Sequence, residues 1–314
     1  MKNYTVRPYE ANDFEAWNSF IGKAKNATFL FNRNFMEYHK DRFQDFSLIV
    51  EEDAKWVAVL PANRVGETVF SHQGLTYGGL VYGEKLNADE VAVVFEQLLF
   101  FLKQKDIETL IYKPIISIYS KKSALEMDYI LWQKKAALYR KDLNLAIDFA
   151  SDLTISKSKL KHFRRVSELD IEIKEETSLA SFWDKVLVPR LQEKHNTKPV
   201  HAKEEIQQLA DNFPKNILQF NAYFEDEIVA GITLFHFGNV VKSQYGATTP
   251  QGEKLRALDF LFINLIQHFK DKVSFFDMGT VTENNEKGYN PGLLKQKEEL
   301  GCSVYNQDFY SLSL

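Results

Sequence analysis

Several features that would point to a particular class of protein are scarce or missing in this sequence. Cys302 is the single cysteine, so an intrachain disulfide and a cysteine-based metal cluster are excluded, and we expect a structural thiol. No run of about 18 apolar residues predicts a membrane-spanning helix, and the first residues lack the apolar stretch of a secretory signal. A formal net charge of −4 argues against nucleic-acid binding by bulk electrostatics, although a local basic groove stays compatible with it. We therefore expect a reduced, cytoplasmic protein that holds no metal and binds no DNA.

What the sequence does contain is enough apolar material for two cores. It has 314 residues, of which 45% are hydrophobic and 26% are charged, and single cores stop growing near about 250–300 residues. Phenylalanine occurs 25 times, which predicts cores rich in aromatic rings. A boundary near 148–154 predicts two domains, 1–148 and 149–314.

The two predicted domains repeat one order of elements. From Phe46, and again from Phe220, the pattern gives a strand, an acidic turn, two more strands, a polar loop, an apolar helix and a closing strand. This interval has the size of a whole domain, whereas solenoid repeats are about 20–50 residues long. We therefore expect two copies of one fold, with a cleft available between them.

Hydrophobic periodicity and turn residues predict the individual elements. The predicted helices are 14–23, 33–42, 89–104, 125–137, 156–169, 179–194, 202–212, 254–269 and 292–299. The predicted strands are 4–7, 46–51, 56–63, 69–72, 107–112, 139–149, 171–174, 218–224, 228–237, 240–247, 274–277 and 303–310. The segment Gly74–Gly83 is too rich in glycine for a central strand and is predicted to be a loop that approaches another group closely. Strands in runs, with helices between the runs, favour an α+β class with mainly antiparallel sheets.

Five segments of the second half carry motifs. They are the basic helix 156–169, the strand 171–174, the hairpin 217–237 with Asp226 and Glu227 at its turn, the strand end Asp277-x-Gly279, and 296–301, where Lys297 and Gly301 match an aromatic-Lys-x-x-aromatic-Gly pattern. In these segments the chain resembles the GNAT acyltransferases, and the tandem arrangement resembles the FemAB-like acyltransferases of bacteria.

The resemblance implies two tandem GNAT-like domains, each a mainly antiparallel mixed sheet flanked by helices. The second would bind the donor and carry the chemistry, and the first would shape the cleft and hold the acceptor. Two departures are visible. Gln296 and Leu300 replace the aromatic residues of the pattern, and the loop that binds the pyrophosphate of acyl-CoA is not matched, because Gly252 and Ala257 have the wrong spacing. Acyl-CoA is therefore a candidate donor and no more.

The donor site is predicted at the end of strand 240–247. A strand end with free N–H and C=O groups, followed by a helix N-terminus, can hold an acyl donor. The predicted donor-binding residues are Gln244, Tyr245, Gly246, Ala247, Thr248, Lys254 and Arg256. An ordinary strand-to-helix loop with two solvated cations explains the same residues.

Three residues are predicted to take part in the chemistry. Asp277, at the end of a buried strand, would orient the site or else cap a turn. Lys297 would stabilise an oxyanion or bind a substrate phosphate, or else lie on a charged surface helix. His195, near a proline turn, is the candidate general base, since histidine titrates near neutral pH; the alternative is an incidental loop histidine.

Substrate contacts are predicted from both domains. They are His72, just before the glycine-rich loop, Tyr77 and Gly79 within it, and Arg165, His201 and Tyr289 in the second half. Arg165 belongs to the basic helix, which either contacts a phosphate-rich ligand or is a solvated surface.

These observations favour an N-acyltransferase in which a small-molecule or peptide amine attacks a CoA thioester or an aminoacyl-tRNA ester. One alternative is an aminoacyl-tRNA-dependent ligase acting on a peptidoglycan precursor, although the chain has no long charged helical hairpin in its second half. The other is a non-catalytic protein that binds a ligand or partner through the tandem fold. The oligomeric state is left open.

Overall fold

The structure is a computed structural model that describes residues 2–120 and 122–314, and at position 195 the backbone only. It consists of two compact units, Met1–Asp142 with Asn306–Leu314, and Leu143–Tyr305. The boundary between the units lies inside β9 (Ala137–Asp148), six residues before the boundary predicted at 148/149, which coincides with the end of that strand. The C-terminal residues return to the first unit because they pair with one of its strands.

The first unit combines helices with two sheets. Its helices are α1 (Phe14–Lys23), α2 (Arg33–Met36), α3 (Ala88–Gln104) and α4 (Glu126–Gln133). Its strands are β1 (Tyr4–Pro8), β2 (Gln44–Asp45), β3 (Leu48–Glu52), β4 (Lys55–Leu60), β5 (Asn63–Val65), β6 (Thr68–Phe70), β7 (Val81–Tyr82) and β8 (Thr109–Tyr112), with the first residues of β9 (Ala137–Asp148) and the last residues of β15 (Ser303–Ser313). One sheet has the order β1-β3-β4-β7, and the other contains β15-β8-β6-β5-β2.

Helix α3 contributes most of the helical residues in the hydrophobic core of the first unit. Asn87 and Glu90 form a reciprocal capping box at its start, which satisfies two of the amide groups that a helix N-terminus leaves open. Val94, Phe95 and Leu98 are fully buried among strand residues of the same unit. The helix predicted at 89–104 is therefore confirmed.

The second unit contains one six-stranded sheet. Its helices are α5 (Lys157–Val166), α6 (Ala180–Phe182), α7 (Val188–His195), α8 (Lys203–Asn212), α9 (Pro250–Leu255), α10 (Ala257–Phe269) and α11 (Pro291–Glu299), and a π-helical turn (Trp183–Leu187) joins α6 to α7. Its further strands are β10 (Ile171–Glu176), β11 (Ile217–Phe224), β12 (Glu227–His236), β13 (Val240–Thr248) and β14 (Phe275–Thr280). The order is β10-β11-β12-β13-β14-β9.

The two units share the architecture that the repeat predicts. The hairpins β3–β4 and β11–β12 turn at Asp53–Ala54 and Glu225–Asp226, where both residues have positive φ, as expected for a tight turn whose twist matches the strands. Strand β6 pairs with β8, and β13 with β14, in parallel over three residues each. Nearly all other pairings are antiparallel, so the α+β prediction is confirmed.

The helix predicted at 254–269 is wrong at its start. Thr249 caps α9 through a bond from the Gly252 amide, and Pro250 fits its first turn. Arg256 then adopts a left-handed conformation (φ 60°, ψ 35°) and separates α9 from α10. Lys254 therefore lies in the last turn of a short helix, where a cation suits the helix dipole.

The second core lies between the sheet and α10. Leu261, Ile266 and Phe276 are fully buried in it, and Cys302 is 8% exposed. Burial raises the pKa of the Cys302 thiol to about 12, so the thiol is neutral and packed. In the described part of the chain, no helix has both the length and the apolar character needed to cross a membrane.

Candidate active site

The centre of the second unit is the place where β13 and β14 separate. They pair only from Val240 to Lys242, opposite Phe275 to Asp277. Strand β13 continues to Thr248 along β12, with Gln244 as an extra residue in a bulge of that ladder. Among the described residues no strand pairs with the other edge of β13 beyond Lys242, so its backbone groups are available to a ligand.

A cavity of about 640 Å³ opens at this end of β13. Its lining comes from four parts of the second unit: Leu187, Arg190, Leu191 and Lys194; Gly246, Ala247 and Thr248; Gly252, Glu253, Lys254, Arg256, Leu258 and Asp259; and Gln296. Five of the seven residues predicted to bind the donor, namely Gly246, Ala247, Thr248, Lys254 and Arg256, thus lie together on one cavity.

Helix α7 contributes two cations that the sequence analysis did not include. Arg190 and Lys194 both contact the Glu253 carboxylate, at 3.4 Å for Lys194, and these bonds lower the pKa of Glu253. The two residues are four positions apart, so they lie on the same face of α7, opposite its buried face. This spacing is the sequence signal that could have indicated a pair of cations here. Four cations and two carboxylates line the cavity, so it favours an anionic ligand.

The second carboxylate of the lining is already bound within the protein. Asp259 accepts hydrogen bonds from Lys159 Nζ at 2.6 Å and Gln296 Nε2 at 3.1 Å. It therefore offers little repulsion to an anion. The predicted contact Arg165 lies exposed on α5, and burial together with the charges of Arg256 and Arg165 lowers the pKa of the intervening His162. Arg165 thus lies near His162, as Arg256 does, but does not line the cavity.

Gln244 and Tyr245 do not line the cavity. Gln244 is the bulge residue, and its Oε1 is buried without a hydrogen-bond partner in the described part of the chain. The Tyr245 ring packs edge-on against Trp183 of the π-helical turn at 5.1 Å. Its hydroxyl lies 2.6 Å from Nδ1 of the predicted contact His201, which is 5% exposed. Burial raises the pKa of Tyr245 to about 12, so its hydroxyl is neutral. Through the contacts with Trp183 and His201, Tyr245 fixes β13 on the side of the π-helical turn.

Asp277 and Lys297 lie beneath the separation of the strands. Asp277 is fully buried and accepts bonds from Asn144 Nδ2 at 2.9 Å and from the Gly279 amide at 2.7 Å. Lys297 donates from Nζ to the carbonyls of Gly279 and Thr280 at 2.9 and 3.0 Å. Burial lowers the pKa of Lys297 to about 8. Lys297 is thus a buried group that holds the end of β14, and neither predicted residue lines the cavity.

Two further predicted residues lie elsewhere in the second unit. The backbone of His195 ends α7, and its side chain lies outside the described residues. Tyr289 pairs with Thr282 through an isolated β-bridge after β14 and packs partly buried against the core.

The glycine-rich loop of the first unit is packed into that unit. Gly78 donates to the Lys113 carbonyl, and a Cβ there would lie 1.3 Å from the Ser71 carbonyl oxygen. Gly79 (φ 89°) lies against the Tyr112 hydroxyl. The loop therefore fills the space where β6 and β8 diverge, and the predicted close approach is to protein groups.

The other two predicted contacts of this loop are interior groups. Tyr77 is fully buried and donates to Thr28 Oγ1 at 3.0 Å. His72 is 5% exposed and stacks on His39 with ring centroids 5.1 Å apart. Burial, with the neighbouring His39, lowers the pKa of His72 to about 3. Neither offers a surface to a substrate.

The structure also bears on the ligands that the resemblance implies. Gly252 lines the cavity, but a Cβ there would lie 2.0 Å from the Val229 carbonyl oxygen, so packing of α9 on β12 accounts for this glycine. A phosphate in the cavity would be held by cations rather than by a glycine loop. In residues 2–120 and 122–314, no three His, Cys, Asp or Glu side chains cluster as a metal site would require.

Comparison with known families and structures agrees with this geometry. Residues 154–289 match the family model of an acetyltransferase (GNAT) domain. This part of the chain is a GNAT domain. The residues that line the cavity up to Asp259, and the separation of β13 from β14, all fall within it. The second unit therefore carries a domain of the acyltransferase type.

Solved structures extend the likeness to the whole chain. The GNAT domain and the first unit together match FemX, with a TM-score of 0.70, 9% identity and coverage of 99% of this chain and 97% of that one. The C-terminal domain of a putative lysylphosphatidylglycerol synthetase from Agrobacterium fabrum matches with a TM-score of 0.61, 11% identity and coverage of 96% and 92%. A tandem GNAT protein from the clavulanic acid biosynthesis pathway matches with a TM-score of 0.52, 10% identity and coverage of 99% and 98%. Comparison with curated protein sequences gives no match. The tandem GNAT fold that the sequence resembles is confirmed.

Proposed function

We propose that the protein is an N-acyltransferase that moves an acyl or aminoacyl group from an activated ester to an amine, with the donor in the cavity of the GNAT domain. The separation of β13 from β14 after Lys242 carries this proposal. It leaves one cavity wall of unpaired backbone, and a donor containing amide groups can extend the sheet there.

The basic residues of the cavity suit the anionic part of such a donor. Arg190, Lys194, Lys254 and Arg256 belong to its lining, and charge-assisted hydrogen bonds from such groups to phosphate are stronger than neutral ones. A CoA thioester and an aminoacyl-tRNA ester both place phosphates at a distance from the reacting carbonyl. The exposed Arg165 of α5 gives a polyanionic donor an additional contact outside the cavity.

The reaction needs little more than orientation and charge stabilisation. The amine nitrogen adds to the donor carbonyl, the new C–N bond forms as the C–S or C–O bond breaks, and the amine proton goes to the departing group directly or through water. Positioning and preorganised dipoles supply most of the acceleration in such a step. Lys297 and the Tyr245–His201 pair act as positioning groups, because they fix the strands on either side of the donor.

Calorimetry with the full chain tests the proposal. Acetyl-CoA, a longer acyl-CoA and aminoacyl-tRNA are titrated into the wild type, Arg256→Gly, Lys254→Gln and the exposed control Lys270→Gln. We expect each cavity variant to weaken donor binding about tenfold, which corresponds to about 1.4 kcal/mol, and the control to change nothing.

The outcomes separate the alternatives. Binding of acyl-CoA without binding of tRNA removes the tRNA-dependent ligase, and the reverse removes CoA. Tight binding of a donor with no transfer to any amine favours the non-catalytic alternative. Donor affinity that is the same in wild type and both cavity variants contradicts the proposed site.

A further inference from the structure

Lys242 occupies the last paired position of β13, at the point where the strand leaves β14. Only 9% of the residue is exposed. Its Nζ lies 3.7 Å from Asp277 Oδ2, which is too long for a hydrogen bond. Lys242 Nζ donates no hydrogen bond to any residue that the structure describes. A largely buried cation without a hydrogen-bond acceptor favours a further anion beside it.

Asp277 fills that role only in part, as an ion-pair partner that accepts no hydrogen bond from Lys242. Its Oδ1 already accepts from Asn144 and from the Gly279 amide, which fixes the carboxylate in place. The relation of Lys242 to Asp277 is therefore a distant ion pair rather than a bonded one.

The neighbourhood holds one more cation than anion. Lys297 brings a second ammonium, and the two carbonyls that it binds are neutral. The charge of Lys242 contributes to the lowered pKa of Lys297, after burial. The nearby Cys302 thiol is neutral, since burial raises its pKa to about 12. Two ammonium groups thus face one carboxylate.

There is also space beside the ammonium of Lys242. Gly279 has a positive φ of 77°, and a Cβ on it would lie 3.7 Å from Lys242 Nζ. Any larger residue would place its side chain against this nitrogen. Glycine at 279 therefore serves both the backbone turn and the open side of Lys242.

We propose that Lys242 is the contact residue of a binding site for one anionic oxygen group, located where β13 and β14 separate. Two sources share this chemistry: a carboxylate of the substrate, and the oxyanion that forms when an amine adds to the donor carbonyl. In the second case the nitrogen lone pair forms the C–N bond, the carbonyl π pair moves to oxygen, and collapse expels the thiolate or alkoxide. This second source rests on the proposed acyltransferase function, whereas the site itself does not.

An experiment without turnover tests the site. Thermal unfolding of the full chain is measured in sodium acetate and in sodium chloride at equal ionic strength, for wild type, Lys242→Met and the control Lys270→Met, an exposed lysine at the end of α10. We expect acetate to raise the unfolding temperature of the wild type and of Lys270→Met above the chloride value. Lys242→Met should need at least tenfold more acetate for the same rise.

An equal acetate response in Lys242→Met and wild type, or no response beyond chloride in the wild type, overturns the proposal. If Lys242→Met does not fold, Lys242→Arg is measured in its place. Because arginine retains the charge, this variant must retain the acetate response, and loss of that response contradicts the site. These outcomes are independent of donor binding in the Arg256 variant, so failure of the site and failure of the proposed function are distinguishable.

Steady-state kinetics then separate the two sources. A fall in kcat with an unchanged KM for the acceptor indicates the oxyanion, because the contact exists only in the transition state. A rise in KM for a carboxylate-bearing acceptor, with kcat unchanged, indicates the substrate carboxylate. Unchanged kcat and KM in Lys242→Met contradict a contact with substrate.

Discussion

Replacement of Arg256 by glycine should weaken donor binding and stabilise the fold at the same time. Arg256 is exposed, lines the cavity and has a φ of 60°. Its amide donates to Glu253 O and its carbonyl accepts from the Phe260 amide, and glycine preserves both bonds. The variant therefore removes one cation and one strained side chain, and no backbone contact.

The magnitude follows from two opposing terms. A left-handed conformation costs a non-glycine residue about 1–2 kcal/mol, which the glycine variant avoids. Glycine loses more backbone entropy on folding, which reduces this gain by about 0.5–1 kcal/mol. We expect Arg256→Gly to be about 0.5–1 kcal/mol more stable than wild type in urea unfolding, with an unchanged m-value. Donor affinity should fall about tenfold.

Lys135 provides a matched control. It is exposed, lies at the end of α4 in the first unit and has a φ of 57°. Lys135→Gly should gain the same stability with no change in donor affinity. A loss of stability in both variants would refute the strain argument. Equal donor affinity in Arg256→Gly and Lys135→Gly would refute the role of Arg256 in the cavity.

Three further predictions concern buried groups. The pKa of Lys297, about 8, lies below the ordinary 10.5, so the unfolded chain binds more protons between these values. The contribution of Lys297 to stability should therefore rise by about 3 kcal/mol from pH 8 to 10.5, and the stability difference between wild type and Lys297→Met in parallel urea titrations should show it, because Cys302 is present in both. Cys302, with its raised pKa, should react with Ellman's reagent at pH 8 only as fast as the protein unfolds; a faster reaction contradicts its burial. Gly78→Ala should destabilise the first unit by more than about 3 kcal/mol, whereas Gly22→Ala in α1, with open space around it, should stabilise it by about 0.5–1 kcal/mol; similar midpoints for the two would rule out the clash at Gly78.

The sequence was most informative where local chemistry decides the structure. Helix α3 has apolar residues at helical spacing and a capping pair at Asn87 and Glu90, so its period and its start agree. The acidic turns predicted both hairpins, because only a short connection fits between two alternating runs. The strand 240–247 was also found, and with it most of the cavity wall.

The sequence was least informative where distant segments meet. Nothing in the pattern around Arg256 marks a break, since arginine is a good helix former and its left-handed φ is imposed by the packing of α9 and α10. The spacing of Arg190 and Lys194 places both on one helix face, but their place at the cavity depends on the packing of α7 beside Glu253. The isolation of Lys242 depends on the exact register of β13 and β14, which no local pattern encodes.

The packed glycine-rich loop of the first unit has a consequence for stoichiometry. In both units two parallel strands diverge after three paired residues, but in the first unit the chain itself occupies the space between β6 and β8. Duplication of the fold therefore did not duplicate the donor site that we propose in the second unit. Each chain should bind one donor at saturation, and cooperativity in donor binding would have to come from association of separate chains.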